Sequence, residues 1–151
     1  MDDDKLGGIT EAGKELLQQI IEEDNALVFT RIQFGAGRYQ VRPGVPIRAT
    51  KLVDPVFGKP GLIFSFLRDG KIRISTKFNA EILGTSFWLN EIGVFARKAT
   101  DSDDVLFYYS IDPSETSNIF MSKDTDYMYV CSVTMDYGIA TKNRPKAATV
   151  L

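Results

Sequence analysis

The chain has no histidine and only one cysteine among its 151 residues. Without histidine there can be no Ser-His-Asp or Cys-His nucleophile, no HExxH zinc site and no histidine general base. The single cysteine, Cys131, cannot form an internal disulfide or a CxxC motif, and we expect it to be a buried thiol. These absences favour a binding or structural role, so we expect no enzyme activity, no catalytic residue, no metal site and no cofactor.

Long apolar runs and an excess of positive charge are also missing. No apolar stretch approaches the roughly 18 residues that a transmembrane helix needs, and we expect no membrane insertion. The 18 basic and 20 acidic residues give a net charge of −2. Because an acidic balance is unfavourable for binding a phosphate backbone, we expect no nucleic-acid partner.

The first residues are acidic and polar. The stretch Met1-Asp2-Asp3-Asp4-Lys5 is the opposite of a signal peptide, so we expect folding in a reducing cytoplasm. The same stretch resembles what a cleavable tag leaves behind. We therefore expect residues 1–8 to be disordered or tag-derived and residues 9–151 to form one domain.

One helical pattern is followed by many strand patterns. Thr10 is a good N-cap, and apolar side chains at helical spacing predict an amphipathic helix from Thr10 to Glu23. Strand patterns follow at 27–34, 63–67, 71–79, 86–97, 105–111 and 127–137, with a hairpin signal at 68–70. The pattern predicts an α+β fold in which one N-terminal helix packs on a mainly antiparallel sheet or sandwich.

A long stretch rich in glycine and proline separates the first two strand patterns. Residues 35–62 contain five glycines and four prolines, which disfavours a long regular strand there. The stretch is either a surface loop that crosses the sheet or a loop that docks a partner. The irregular stretch 112–126 leaves the same two alternatives.

Three patterns suggest chemistry but lack part of what that chemistry needs. Residues 8–15 match the GxxxxGK spacing of a phosphate loop, but Glu15 follows where a serine or threonine should hold magnesium. Asp101, Asp103 and Asp104 lack the glycine and distal glutamate of an EF-hand loop, and a solvated acidic turn explains them better. Glu81 and Glu91 could serve as a carboxylate pair only if the fold placed them together.

Glu91 is an unusual charge, because it lies within an otherwise apolar strand pattern at 87–95. If it is buried it must be paired or hydrogen-bonded, and Arg31 in another apolar strand is a plausible partner. The alternative is that both side chains face solvent. For a buried and paired Glu91, we expect Glu91→Ala to destabilise the fold by about 1–3 kcal/mol. Gly93 indicates a bulge or a close approach of another segment.

Tyrosines are concentrated in the last two strand patterns. By alternation some of them must point outward, and tyrosine is favoured at interfaces because it offers rigid area with a polar tip. They form either an oligomeric or docking face or partly exposed cross-strand pairs. The candidate interface residues are Tyr108, Tyr109, Tyr127 and Tyr129.

Five segments, taken in order, resemble the phage tail-collar fibre family. They are 9–14 with Leu16 and Leu17, 27–32 followed by Gly35-Ala36-Gly37, then 52–53, 90–96 and 105–108. The resemblance covers roughly residues 9 to 112. Members typically carry an acidic residue where this chain has Ala36, and often arginine where it has Asn90.

The resemblance implies a structural virion protein without catalytic activity. Such a domain attaches a receptor-binding fibre to the baseplate or tail tip of a phage or phage-tail-like particle. Its expected partners are a fibre protein, other tail or baseplate proteins and further copies of itself. It would assemble in the bacterial cytoplasm and reside in the tail. The motif residues that we assign to maintaining the fold are Thr10, Gly13, Phe29, Arg31, Gly35, Gly37, Glu91 and Gly93.

Two other function classes stay open. A small β-rich carbohydrate-binding module would use exposed tyrosines to stack on sugar rings. An enzyme with a carboxylate pair would need a concave cleft that holds two acids.

Overall fold

The computed structural model describes residues 6–60, 62–67, 71–112, 119–136 and 146–149. Within them lie one α-helix, a 3-10 turn and eleven strands. The helix α1 spans Glu11–Glu23 and the 3-10 turn spans Ala80–Ile82. The strands are β1 (Leu6–Ile9), β2 (Ala26–Gly35), β3 (Pro55–Lys59), β4 (Ile63–Phe66), β5 (Lys71–Asn79), β6 (Phe87–Trp88), β7 (Glu91–Lys98), β8 (Val105–Ile111), β9 (Phe120–Met121), β10 (Met128–Asp136) and β11 (Lys146–Thr149).

The strands form one large sheet and two small ones. The large sheet has the order β1-β8-β7-β2-β11, and β3 pairs with β2 off that path. All its pairs are antiparallel except β11 with β2. A second sheet has the antiparallel order β10-β5-β4, and β6 pairs with β9. The predicted α+β class, with one helix on a mainly antiparallel sheet, is confirmed.

The helix begins and ends where local chemistry directs it. The Thr10 hydroxyl accepts a hydrogen bond from Gly13 N at 2.9 Å, as an N-cap does, and donates to the carbonyl of Leu106 in β8. Asp24, in the left-handed conformation with φ 50°, ends the helix. Leu16, Leu17 and Ile20 are buried, so the helix presents its apolar side to the protein.

Two apolar clusters lie on the large sheet. The first joins α1, the large sheet and the β10-β5-β4 sheet through side chains such as Leu17, Phe29, Phe34, Phe78 and Val133. The second lies beneath the connection between β2 and β3, and contains Ile47, Ala49, Leu52, Phe95, Leu106, Tyr109 and Ile111. We call that connection, residues 36–54, the β2–β3 segment. The segment supplies three of those side chains and is part of the core.

Some predicted boundaries were wrong. Residues 6–8, which we expected to lie outside the domain, form β1 with Ile9 and pair with β8, while residues 1–5 lie outside the described ranges. The strand predicted at 86–97 is interrupted at 89–90, giving β6 and β7. A short strand, β3, begins at Pro55, where a missing N–H is tolerated because proline opens the strand.

The hairpin prediction concerns β4 and β5, which pair antiparallel as expected. Its turn, 68–70, lies outside the described residues. Side chains along β5 alternate as predicted, with Ile72, Ile74, Thr76 and Phe78 buried. In the part of the chain that the structure describes, no helix is long and apolar enough to cross a membrane.

Candidate functional site: a buried carboxylate under the β2–β3 segment

Glu91, at the start of β7, is fully buried and surrounded by hydrogen-bond donors. One carboxylate oxygen, Oε2, accepts from Gly37 N at 3.0 Å and from Asp54 N at 2.7 Å. The other, Oε1, accepts from Val53 N at 2.9 Å and from the Tyr109 hydroxyl at 2.6 Å. The carboxylate therefore holds both ends of the β2–β3 segment on the large sheet, and four donors compensate its burial.

Glycines let the backbone come close enough to reach this carboxylate. Gly35 lies opposite Glu91 in the sheet, and a Cβ there would lie 2.5 Å from Glu91 Oε2 and 2.6 Å from the carbonyl of Asp54. A Cβ on Gly37 would lie 2.6 Å from the Cβ of Val53. Any side chain at either glycine would push the β2–β3 segment away from its acceptor.

Tyr109 extends the network to the interior of the β2–β3 segment. Its hydroxyl accepts from Tyr39 N at 2.8 Å while donating to Glu91, and the two tyrosine rings meet edge to face with centroids 6.0 Å apart. Burial raises the pKa of Tyr109 well above its ordinary value, and the hydrogen bond to Glu91 raises it further. The phenol therefore stays protonated and remains a donor.

Asn90 and Ala36 adjoin each other beside this network. The Asn90 side-chain amide donates to the Ala36 carbonyl at 2.7 Å, and Asn90 N donates to the Gly35 carbonyl at 3.0 Å. Ala36 N in turn donates to the Asp54 carbonyl at 2.9 Å. The two positions at which the sequence departs from the tail-collar pattern are thus in direct contact.

The predicted pairing of Arg31 with Glu91 was wrong. In the antiparallel register Arg31 lies opposite Phe95, four residues along β7 from Glu91. Its guanidinium lies 3.9 Å from the centre of the Phe95 ring, and Nε bonds Asp104 Oδ2 at 3.2 Å. The same carboxylate oxygen accepts from the Thr30 hydroxyl at 2.6 Å. Arg31 stabilises the sheet through a different, partly exposed cluster.

Gly93 allows a close approach, one of the two alternatives predicted for it. A Cβ at this position would run into the side chains of Leu52 and Leu106. Leu52 belongs to the β2–β3 segment and is buried. The glycine in β7 therefore makes room for the side chain that seats this segment on the sheet.

The three suggestive chemical patterns do not assemble into sites. Asp104 is engaged by Thr30 and Arg31, and no group of three potential metal ligands occurs among the described residues. Glu81 is exposed on the 3-10 turn, whereas Glu91 is buried and saturated with donors, so they do not form an accessible acid pair. Gly13 of the phosphate-loop pattern lies inside α1, packed against the Phe107 carbonyl.

The tyrosine prediction was half wrong. Tyr108 and Tyr109 are buried, because β8 is covered on both faces, and they offer no docking surface. Tyr129 is half-buried, and its hydroxyl accepts from Ser122 N at 2.8 Å. Tyr127 alone of the four is well exposed, at 71%. Cys131, expected to be buried, is only partly so.

Exposed apolar side chains lie elsewhere than the sequence indicated. Trp88 and Phe120 contact each other across β6 and β9, with ring centroids 5.0 Å apart, and both are about half exposed. Ile63, Met128 and Val130 are also exposed, on the sheet formed by β4, β5 and β10. Alternation along β10 places Met128 and Val130 on the face opposite to Tyr129 and Cys131, and this signal could have predicted their outward direction.

Comparison with known proteins adds nothing to this description. No family model, no curated protein and no solved structure matches the chain. The structure shows an α+β fold. The function of the chain has to be argued from the arrangement of its own residues.

Proposed function

We propose that the chain is a structural attachment module of a phage tail or phage-tail-like particle. In this role it joins a receptor-binding fibre to the baseplate or tail tip through complementary surfaces. It resides in the tail, assembles in the bacterial cytoplasm and works as an oligomer. No bond is made or broken in this function, so what it requires of the fold is rigidity.

One observation carries the proposal: segments of the tail-collar resemblance that are far apart in sequence bind one another through buried hydrogen bonds. Thr10 caps α1 and bonds β8, and Gly13 lets α1 lie close to β8. Glu91 binds the backbone next to Gly35 and at Gly37. Segments that are far apart in sequence are thus fitted to one another, as expected if together they specify a scaffold.

The two positions that depart from the family pattern contact each other. An acidic residue at position 36 and an arginine at position 90 would be oppositely charged neighbours. Here an alanine and an asparagine stand at those positions, and the Asn90 amide bonds the Ala36 carbonyl at 2.7 Å. The two positions are therefore neighbours in this fold, and in this chain neither side chain is charged.

The β2–β3 segment contributes to attachment through its fixed conformation. It crosses and covers one face of the large sheet, with Ile47 and Leu52 buried and both ends bound to Glu91. Val45 and Val53 remain more than half exposed. A partner that docks on these residues would meet a surface that needs little ordering, which lowers the entropic cost of binding.

Co-sedimentation with particles tests the proposal. Tail-like particles are induced from the source bacterium and separated on a density gradient, and the chain is quantified in each fraction by mass spectrometry. We expect it to sediment with tail proteins at a fixed ratio. Recovery only in the fractions of free protein would contradict the attachment function.

The alternative is a small carbohydrate-binding module, favoured by the exposure of Trp88 and Tyr127. Aromatic faces of this kind can stack on sugar rings. Trp88 is the chain's single tryptophan, so its fluorescence reports directly on a sugar bound at this side chain. A glycan array followed by fluorescence titration separates the two functions, because an attachment module should give no sugar-dependent change.

A further inference from the structure

The β10-β5-β4 sheet has one buried face and one exposed face. Ile72, Ile74, Thr76 and Phe78 of β5 point into the protein. The residues between them on β5, and their partners on the neighbouring strands, point outward. We call this exposed surface the outer face and define it by Ile63, Arg73, Ser75, Lys77, Met128 and Val130.

Three aliphatic side chains of the outer face are unusually exposed. Ile63 is 62% exposed, Met128 55% and Val130 69%. The solvent face of an antiparallel sheet is normally polar, and exposed apolar groups clustered on one surface indicate an interaction site. They come from β4 on one side of β5 and β10 on the other, so apolar area flanks the central strand on both sides.

The charge on the outer face is mainly positive. Arg73 and Lys77 lie along β5, and at the end of the same face the register pairs Lys71 with Asp136, the one carboxylate among the paired positions of β4, β5 and β10. Neither Arg73 nor Lys77 forms an ion pair with any residue that the structure describes. Four residues along a strand separate them by about 13 Å. A partner would therefore meet two cations that have no ion pair among the described residues, flanked by the exposed apolar side chains of β4 and β10.

Charge complementarity indicates which kind of partner would bind the outer face. A second copy of the chain would bring the same excess of positive charge to the contact, which is unfavourable. Carboxylates about 13 Å apart with apolar side chains between them would match both the charge and the apolar area.

We propose that the outer face is the docking surface for an acidic protein partner. Its carboxylates pair with Arg73 and Lys77, and its apolar side chains cover Ile63, Met128 and Val130. The inference rests on the proposed function only in taking that partner to be a neighbouring protein of the tail. The docking chemistry itself follows from the outer face.

A defined acidic polypeptide tests the docking chemistry directly. The full chain, labelled with ¹⁵N, is titrated with a random copolymer of glutamate and tyrosine, and amide shifts are followed by NMR. We expect saturable shifts confined to β4, β5 and β10 and weakened by salt. A copolymer of lysine and tyrosine should cause none. Shifts spread over the surface, or equal for both copolymers, would overturn the proposal.

Charge reversal provides the matched variants. Arg73→Glu with Lys77→Glu should weaken binding of the acidic copolymer at least tenfold. Lys14→Glu with Lys51→Glu changes the net charge equally at exposed positions outside the outer face, and should leave affinity within twofold. Val130→Ser should weaken binding without changing the salt dependence. Equal loss in both double variants would mean that only net charge matters, which overturns the proposal.

Other occupants would give different outcomes. Tight binding to vesicles of anionic lipid, lost on reversing Arg73 and Lys77, would replace the protein partner by a membrane surface. Concentration-dependent dimers abolished by Val130→Ser would replace it by a second copy. The proposed function fails separately. If the double reversal abolishes copolymer binding but no form of the chain sediments with particles, the outer face is a docking surface and the attachment function is wrong. If the wild type and the double variant are incorporated equally into particles, the attachment function holds and the outer face is not the surface that docks in the tail.

Discussion

Replacing Glu91 by glutamine tests the buried carboxylate with the smallest change of shape. The amide has one acceptor oxygen where the carboxylate has two, so its NH₂ must face two of the four donors. The least costly orientation places NH₂ at the Oε1 position, opposite Val53 N and the Tyr109 hydroxyl. The hydroxyl can accept from this NH₂, but its own hydrogen and the Val53 N–H then both lose their acceptor.

The expected cost follows from that count. One buried donor without a partner costs about 1–3 kcal/mol. Two donors lose their acceptor here and one new bond forms, so Glu91→Gln should lower the free energy of unfolding by about 2–4 kcal/mol. Glu91→Ala leaves four donors without an acceptor and should cost about 3–5 kcal/mol, beyond the range of about 1–3 kcal/mol expected from the sequence. Folded proteins are stable by only about 5–15 kcal/mol. The alanine variant could therefore fail to fold, whereas the glutamine variant should remain folded.

Urea denaturation followed by circular dichroism measures these differences, and amide hydrogen exchange locates them. Protection at Gly37, Val53 and Asp54 should fall more than protection in β5. Glu81→Gln, at an exposed carboxylate, is the matched control and should change stability by less than about 0.5 kcal/mol. If both glutamine variants unfold alike and exchange at the three amides is unchanged, Glu91 does not hold the β2–β3 segment.

Three further substitutions test other contacts. Gly13→Ala should destabilise by about 1–3 kcal/mol in thermal melts, because the new Cβ meets the Phe107 carbonyl; Gly84→Ala, with nothing within 4 Å of its Cβ, should be neutral or slightly stabilising. Tyr109→Phe should cost about 1–3 kcal/mol. Because folding raises the pKa of Tyr109, wild-type stability should fall as pH rises above about 10, and denaturation at several pH values should show a smaller fall in the variant. Arg31→Met should cost less than about 1 kcal/mol in urea, since its side chain is 38% exposed; a larger loss would mean that the Asp104 cluster is a main support of the sheet.

Short sequence patterns predicted those elements of the fold that depend only on residues close together in the chain. The helix from Thr10 to Glu23 was predictable because an N-cap and an apolar period lie within one short stretch, and the structure has α1 at Glu11–Glu23. The alternation of β5 was predictable for the same reason. It fails in β8, whose residues are buried on both faces of the large sheet, so alternation could not tell which tyrosines were exposed.

The partners of Glu91 were not predictable from residue types. A buried carboxylate needs a compensating partner, and among residue types a cation is the obvious one, so Arg31 was the predicted partner of Glu91. The structure supplies three backbone N–H groups instead, 37 to 54 residues away in the chain. Backbone donors have no signature in the sequence beyond the glycines that let them approach. The glycines at 35 and 37 were noted, but their connection with Glu91 required the fold.

Immunogold electron microscopy tests the central claim, attachment within a tail, most directly. Antibody raised against the chain is applied to tail-shaped particles induced from the source bacterium, with preimmune serum as the control. The account predicts label clustered at the distal end of the tails, where fibres join the baseplate. Absence of label from intact and disrupted particles alike would contradict it, and would leave the α+β scaffold with a function outside the virion.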